Sequence, residues 1–389
     1  MGLPLIGEVV HLLTPSYSLD LHPFVRKRLE RYGPIFWTSL VGKPVLVTDD
    51  PEFKNYVIQQ EGRMVELRYL DTFAKLFVQE GESWTNQIGV IHKYARSIFM
   101  NHLGAECINE KLLPQIEESI NKHLCAWSSR ESVEVKHAGS VIHKKATTML
   151  RAMLRERRSS PEKRRGDFLD QIIDDLDQEK FLSEDFCIHL IFGGLFAIFE
   201  SISTVLTLFF SLLADHPAVL QELTAEHEAL LKNREDPNSA LTWDEYKSMT
   251  FTLQVINETL RLTNTAPGLL RRALKDIPVK GYTIPAGWTI LLVTPALHLT
   301  SNTFKDHLEF NPWRWKDLDS LVISKNFMPF GSGLRQCAGA EFSRAYLSTF
   351  LHVLVTKYRW TTIKGARISR RPMLTFGDGA HIKFSEKKN

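Results

Sequence analysis

Cysteine is scarce in this chain of 389 residues. Only Cys107, Cys125, Cys187 and Cys337 occur, and no two stand in C-x-x-C spacing. That excludes a zinc ribbon or a redox dithiol written in sequence, and it offers no disulfide framework, as expected of a protein facing the reducing cytosol. Excess charge is lacking too. Lys and Arg number 48 against 45 Asp and Glu, a formal charge of +3, too mild for a nucleic-acid surface, so no nucleic-acid partner is expected. The opening "MGLPLIGEVVHLLTPSYSL" has neither a charged leader nor a long apolar run, so it reads as neither signal peptide nor anchor. No repeat or low-complexity tract is visible. Hydrophobic residues at 43% and charged residues at 24% are ordinary globular usage, which excludes disorder for most of the chain. Length alone allows two or three domains.

One long apolar run is present, but it lies inside the chain at Phe186–Ala214. It is long enough to span a bilayer. It carries Glu200 at its middle, and a central carboxylate costs roughly 2.5–3.5 kcal/mol on insertion. A core helix of a large helical protein is the better reading, opened by Ser183-Glu184-Asp185 as a start signal.

Around this run the periodicity is mostly helical. "LHPFVRKRLERYG" predicts an amphipathic helix closed by Gly33, and "PEFKNYVIQQEG" a helix from Pro51 to Gly62. Between them "PIFWTSLVGKPVLVTD" predicts a hairpin turning at Gly42-Lys43. Helical spacing continues from about His92 to Trp127 and again through "IHKKATTMLRAMLRERR" and "GDFLDQIIDDLDQ". "PGLLRRALKDIPVKGYTIPAGWTILLVTPALH" is rich in Pro, Gly and β-branched residues and reads as short strands and turns, before a last helix ending near Lys357. The expected fold is mainly α with small β-sheets (α+β). One domain over 1–389 is expected: a β-rich part at about 1–70, a helical core at about 71–265, and β elements, a cysteine loop and the last helix at about 266–389.

The strongest chemical signal is "FMPFGSGLRQCAGAEF". It sets Phe330, Gly333, Arg335, Cys337 and Gly339 in the spacing F-x-x-G-x-R-x-C-x-G. Five fixed positions at about one in twenty each give about 10⁻⁴ chance hits in a chain of this length. Taken alone, Cys337 reads as a buried apolar thiol in a glycine-rich turn. The full spacing instead resembles the haem-binding loop of the cytochromes P-450. That resemblance implies a P-450-like fold with haem between the long central helix and the helix after the cysteine loop. The cofactor is then heme b (iron protoporphyrin IX), with Cys337 as axial ligand of the haem iron. A thiolate there pushes electron density onto iron and favours O–O cleavage. Gly331, Gly333 and Gly339 would let the backbone lie against a flat porphyrin, and Arg335 would reach a propionate.

Glu258 and Arg261 in "NETLRL" lie i, i+3 on one helix face. Such a pair is usually a solvated ion pair. "FNPWRW" at Phe310–Trp315 follows, and it resembles the family element whose arginine, here Arg314, joins a buried Glu/Arg/Arg network. On the apolar run, "AIFESI" (Ala197 to Ile202) resembles the oxygen-activation motif. Glu200 and Ser201 fall at its acid and alcohol positions, and the resemblance implies catalytic proton delivery by them. Ser201 stands where Thr is usual and Ile198 where a small residue is usual. Without the resemblance, the reading is a serine bonded back to its own helix and a glutamate paired with an arginine. Arg271, four residues after Pro267, matches a propionate-binding position. His92 and Arg96 share a helix face and could hold the other propionate, while Trp84 is misplaced for the usual Trp/Arg pair. Lys93 and Lys325 could form a docking face for an acidic electron donor.

The resemblance implies a monooxygenase that uses O₂ and takes NADPH electrons indirectly, through NADPH-cytochrome P-450 reductase. It also implies a hydrophobic substrate and residence at the cytosolic face of the endoplasmic reticulum membrane. "FGSGLRQCAGAEF", "TIPAGW" and "FNPWRW" most resemble plant members acting on sterols and triterpenoids, such as cucurbitane-type skeletons. Two departures are expected. The start resembles sequence that follows an anchor and a proline-rich hinge, neither of which is present. A core helix and the lid helices that the family places before "IHKKATT" are absent at about Val141-Ile142, a loss of several tens of residues that would open the pocket and expose apolar surface. Three other readings stay open: an inactive shortened isoform, a P-450-type isomerase or dehydratase, against which Glu200 and Ser201 argue, and a membrane helical protein.

Overall fold

The computed structural model describes residues 7–68, 89–135, 143–236, 239–377 and 379–387. The expected junction at Val141-Ile142 and Trp84 lie outside them. Among the described residues, ten helices have nine residues or more. They are α1 (Pro23–Tyr32), α2 (Pro51–Gln59), α3 (Val90–Leu103), α4 (Leu113–Ser128), α5 (His143–Ser159), α6 (Phe168–Gln178), α7 (Glu184–Asp215), α8 (Pro217–Lys232), α9 (Thr250–Thr263) and α10 (Ala340–Lys357).

The local causes are visible at the ends. α1 starts on Pro23 with the ring of His22 accepting from Phe24 N, and stops at Gly33 with φ +86°. α2 starts on Pro51, and Asp50 accepts from Phe53 N at 2.8 Å. Strands β1 (Ile35–Leu40) and β2 (Lys43–Thr48) form the expected hairpin, but Val41 and Gly42 make the turn, both at positive φ. The turn is one residue earlier than expected because the Leu40–Lys43 pair closes the ladder and leaves two residues for the loop.

Further strands are β3 (Val65–Leu67), β4 (Val133–Glu134), β5 (Leu269–Ala273), β6 (Ile277–Val279), β7 (Tyr282–Ile284), β8 (Thr289–Leu292), β9 (Tyr358–Lys364), β10 (Ser369–Arg370), β11 (Leu374–Thr375) and β12 (His381–Glu386). The main sheet has the order β1-β2-β8-β5-β3, with β2 parallel to β8 and the other pairs antiparallel. Its register sets Arg271 opposite Leu67 on one side and Ile290 on the other. "TPALH", read from sequence as strand and turn, is a short helix over Thr294–His298 whose five residues are all buried. Pro295 near its start fits a helix N-terminus, and tertiary burial outweighs the β-branched composition.

α7 runs through two apolar cores. Phe186, Cys187 and Leu190 pack with Ile98 of α3, Leu154 of α5 and Ile172 of α6. From Ile202 onward the helix joins the largest core, with Leu124 of α4, Leu223 of α8, Val255 of α9, Leu351 of α10 and Phe384 of β12. Each such fully buried side chain contributes about 1.5–3 kcal/mol of transfer free energy. Between the cores, Leu195 is 53% and Phe196 42% exposed. The core-helix reading therefore holds at both ends, while the middle turns lie open.

Candidate functional site

The cysteine loop is a hairpin-like turn closed by one backbone bond. Cys337 N–H donates to the Phe330 carbonyl at 2.9 Å. Gly331 and Gly333 take φ of +68° and +67°, and a Cβ on Gly333 would sit 2.8 Å from Ile58 Cγ2 of α2. Glycine at 333 is thus required twice, by conformation and by space. Gly339, at φ −90° and ψ 17°, needs no left-handed backbone and serves otherwise. It leads into α10, a Cβ there would lie 3.9 Å from Cys337 Sγ, and its own N–H donates to the sulfur. Arg344, on the first turns of α10, stacks over Phe330.

Cys337 is exposed among the described residues, although protein atoms crowd closely round its sulfur. Its thiol pKa is raised, first by burial. The Gly339 N–H and the charges of Arg96 and Arg344 oppose that rise. The donors favour a thiolate, and a bound metal cation would supply the remaining charge stabilisation.

Four expected cofactor-binding residues gather beside this loop. Arg335 Nε donates to Glu61 Oε1 at 3.2 Å, and Arg271 Nε lies 2.5 Å from Glu61 Oε2, an ion contact rather than an aligned hydrogen bond. Arg96 Nη1 donates to the Gln336 carbonyl at 2.7 Å, one residue before Cys337. His92 feels both Arg335 and Arg96. Burial first, then those two charges, lowers its pKa to about 4, so it is neutral at physiological pH. Glu61, with 1% of its side chain exposed, is the residue that sequence reasoning missed. It sits in the turn after α2, and it also accepts from Leu67 N at 3.1 Å.

Glu258, Arg261 and Arg314 meet in a second cluster. Arg261 is completely buried, and its five N–H groups find five acceptors: both Glu258 oxygens at 2.9 and 2.8 Å, and the carbonyls of His298, His307 and Glu309. Arg314 Nε donates to Glu258 Oε1 at 3.0 Å, and Trp315 Nε1 and Asn311 N complete that carboxylate. His298, also missed from sequence, links this cluster to the cysteine loop. Met328 N–H donates to His298 Nε2 at 2.9 Å, which leaves the proton on Nδ1 to donate to Asn264 Oδ1. Burial, with Arg261 and Lys54 nearby, pushes its pKa down to about 3.

Ser201 Oγ donates to the Ala197 carbonyl one turn back, at 2.7 Å, and Ser201 lies on the open face of α7. Glu200 is half-buried beside it, and Ile198 packs against the large core. Lys93 and Lys325 are both exposed.

A haem fits what is present. The loop presents one sulfur that accepts from the Gly339 N–H, with the guanidiniums of Arg96, Arg271 and Arg335 nearby to meet two propionates. Comparison with known proteins leads to the same place. Residues 128–377 match the cytochrome P-450 family profile. The chain is 50% identical to cucurbitadienol 11-hydroxylase of Siraitia grosvenorii and 46% identical to beta-amyrin 16-alpha-hydroxylase of Maesa lanceolata, covering 100% of this chain and 92% of each relative. In structure it is similar to the retinoic acid-bound cyanobacterial CYP120A1, with a TM-score of 0.80 at 22% identity over 100% of this chain and 98% of that one. The chain belongs to the cytochrome P-450 family. It has the family's fold and is an oxidoreductase of the monooxygenase class with haem as cofactor. The alignment with the Siraitia enzyme runs over 438 positions, 49 more than the 389 residues of this chain, so at least that many positions of the relative have no counterpart here.

Proposed function

We propose that the chain hydroxylates a triterpenoid or sterol, with Cys337 as the thiolate ligand of heme b and with NADPH electrons arriving through a reductase. The observation that carries this reading is the environment of Cys337: a closely crowded sulfur, faced by the Gly339 N–H and flanked by Arg96 and Arg344. Haem, when bound, supplies oxygen activation. The residues of this chain hold it and shape the space around it. Phe330, Gly333 and Gly339 form the loop, and Arg271, Arg335, Arg96 and His92 form the propionate cradle. Glu258, Arg261 and Arg314 hold the core behind the loop. Glu200 and Ser201 would relay protons from the open face of α7, which requires Ser201 to release its bond to Ala197. The substrate class follows the hydroxylases of cucurbitadienol and beta-amyrin among the relatives. Lys93 and Lys325 are proposed for the reductase face, at the endoplasmic reticulum membrane, within a chain that forms one domain.

The test is the reduced, carbon-monoxide-bound difference spectrum of the parent and of Cys337→Ala, followed by incubation with triterpenoids and a reductase. A thiolate-type Soret band present only in the parent, with hydroxylated product, is the expected result. A second reading, a haem-binding chain without turnover, is favoured by the open stretch at Leu195 and Phe196 and by the 49 positions without counterpart. The same band with no product from any triterpenoid would establish it.

A further inference from the structure

Among the described residues, the cradle beside Cys337 brings together three guanidiniums, those of Arg96, Arg271 and Arg335, but a single carboxylate, Glu61. His92 adds no charge near neutrality. Arg271 and Glu61 are almost wholly buried, at 3% and 1% side-chain exposure, and Arg335 is 9% exposed. Without Glu61, buried Arg271 would have no acidic partner among the described residues until haem arrived, and an unpaired buried charge is strongly unfavourable. Glu61 also touches both arginines through their Nε, and so constrains each guanidinium plane on its inner side.

We propose that Glu61 is a resident counter-ion of the propionate cradle, a positioning residue that keeps Arg271 and Arg335 assembled before haem is present and shares them with the propionates afterwards. This rests on the haem-site reading above. It has a consequence that a plain ion pair lacks. Removing the carboxylate harms the haem-free protein more than the loaded one, because the propionates remain to pair the arginines. By linkage, anything that destabilises only the empty form raises affinity for the ligand that fills it. Glu61 therefore tempers haem affinity while preserving the empty cradle.

The experiment uses the full chain as parent, Glu61→Gln, Glu61→Asp and Arg335→Ala. Thermal unfolding is followed in haem-free and haem-loaded forms, and haem loss is timed by transfer to excess apomyoglobin. Glu61→Gln is expected to lower the unfolding midpoint of the haem-free form more than that of the loaded form, and to slow haem loss by roughly three- to tenfold. Glu61→Asp, which keeps the charge, is expected to lose haem at about the parent rate. If haem-free Glu61→Gln does not accumulate, haem loss from the loaded form decides alone. Equal falls in both forms with unchanged haem loss, faster haem loss, or failure to obtain even the loaded variant would each overturn the proposal. Arg335→Ala separates this from the underlying reading. It is expected to lose haem faster than the parent, and an unchanged rate there would sink the cradle itself, whatever Glu61 does.

Discussion

Replacing Arg261 by methionine removes five hydrogen bonds at once while keeping much of the side-chain length. The guanidinium is fully buried, and so is the Glu258 carboxylate it faces. After the change Glu258 still accepts from Arg314, Trp315 and Asn311, but it has lost its closest cation, and the carbonyls of His298, His307 and Glu309 have lost a donor. Breaking a buried pair from one side costs about 3–5 kcal/mol, and the His298 and His307 carbonyls, left without this donor, add about 1–3 kcal/mol each, while the Glu309 carbonyl keeps Arg314. Against a net stability of about 5–15 kcal/mol, that removes a third or more of the total. Urea titration by far-UV circular dichroism reads the loss as a lower midpoint. Removing Glu258 as well, in Glu258→Met/Arg261→Met, is expected to cost less than the two single changes together, because no uncompensated charge stays behind. A single variant within 1 kcal/mol of the parent, or a double variant equal to the sum, would refute the reasoning.

Acid should destabilise the fold through its buried neutral histidines. Folded pKa values are about 3 for His298 and about 4 for His352, and His227 lies well below 6.5, in each case through burial first. Between those values and about 6.5 the unfolded chain holds more protons, so stability is full above about pH 6.5 and falls as pH drops, by about 1.4 kcal/mol per pH unit for each proton. Urea midpoints taken from pH 7 to 4.5 should show this, and His298→Gln should flatten the slope by about one proton. Gly333→Ala should lower the thermal midpoint more than Gly331→Ala. Both pay about 1–2 kcal/mol for a left-handed backbone, but only position 333 also meets Ile58. Leu195→Gln/Phe196→Gln should change the urea midpoint by less than about 0.5 kcal/mol per site, since both are substantially exposed, while reducing the fluorescence of a bound apolar dye.

What the sequence made legible was local. Pro23, Pro51, Gly33 and Ser183 punctuate helices that form where their spacing places them, and the loop around Cys337 could be read because its positions lie within ten residues. Glu258 and Arg261 meet through helical spacing, and Arg314 could be joined to them only by resemblance. Partnerships made by tertiary folding were not legible. Nothing near Glu61 marks it as the partner of Arg271 and Arg335, which stand 210 and 274 positions away. His298 reads as one more residue of an apolar segment until Met328 and Asn264 are brought to its two nitrogens. The short helix at Thr294–His298 was hidden by β-forming neighbours, because its burial comes from the sheet and helices around it.

The contact between Glu61 and Arg335, like that between Lys54 and the Lys325 carbonyl 271 positions on, ties the early part of the chain to the late part. Contacts of such separation cannot reward the closing of their loops until both ends exist. During synthesis, α1, α2 and the first hairpin emerge long before the cysteine loop, so on the ribosome Glu61 is present before either arginine of the proposed cradle. On the proposed reading haem capture is a late event, and until Arg271 and then Arg335 have been added Glu61 lacks the two arginines it meets in the folded chain.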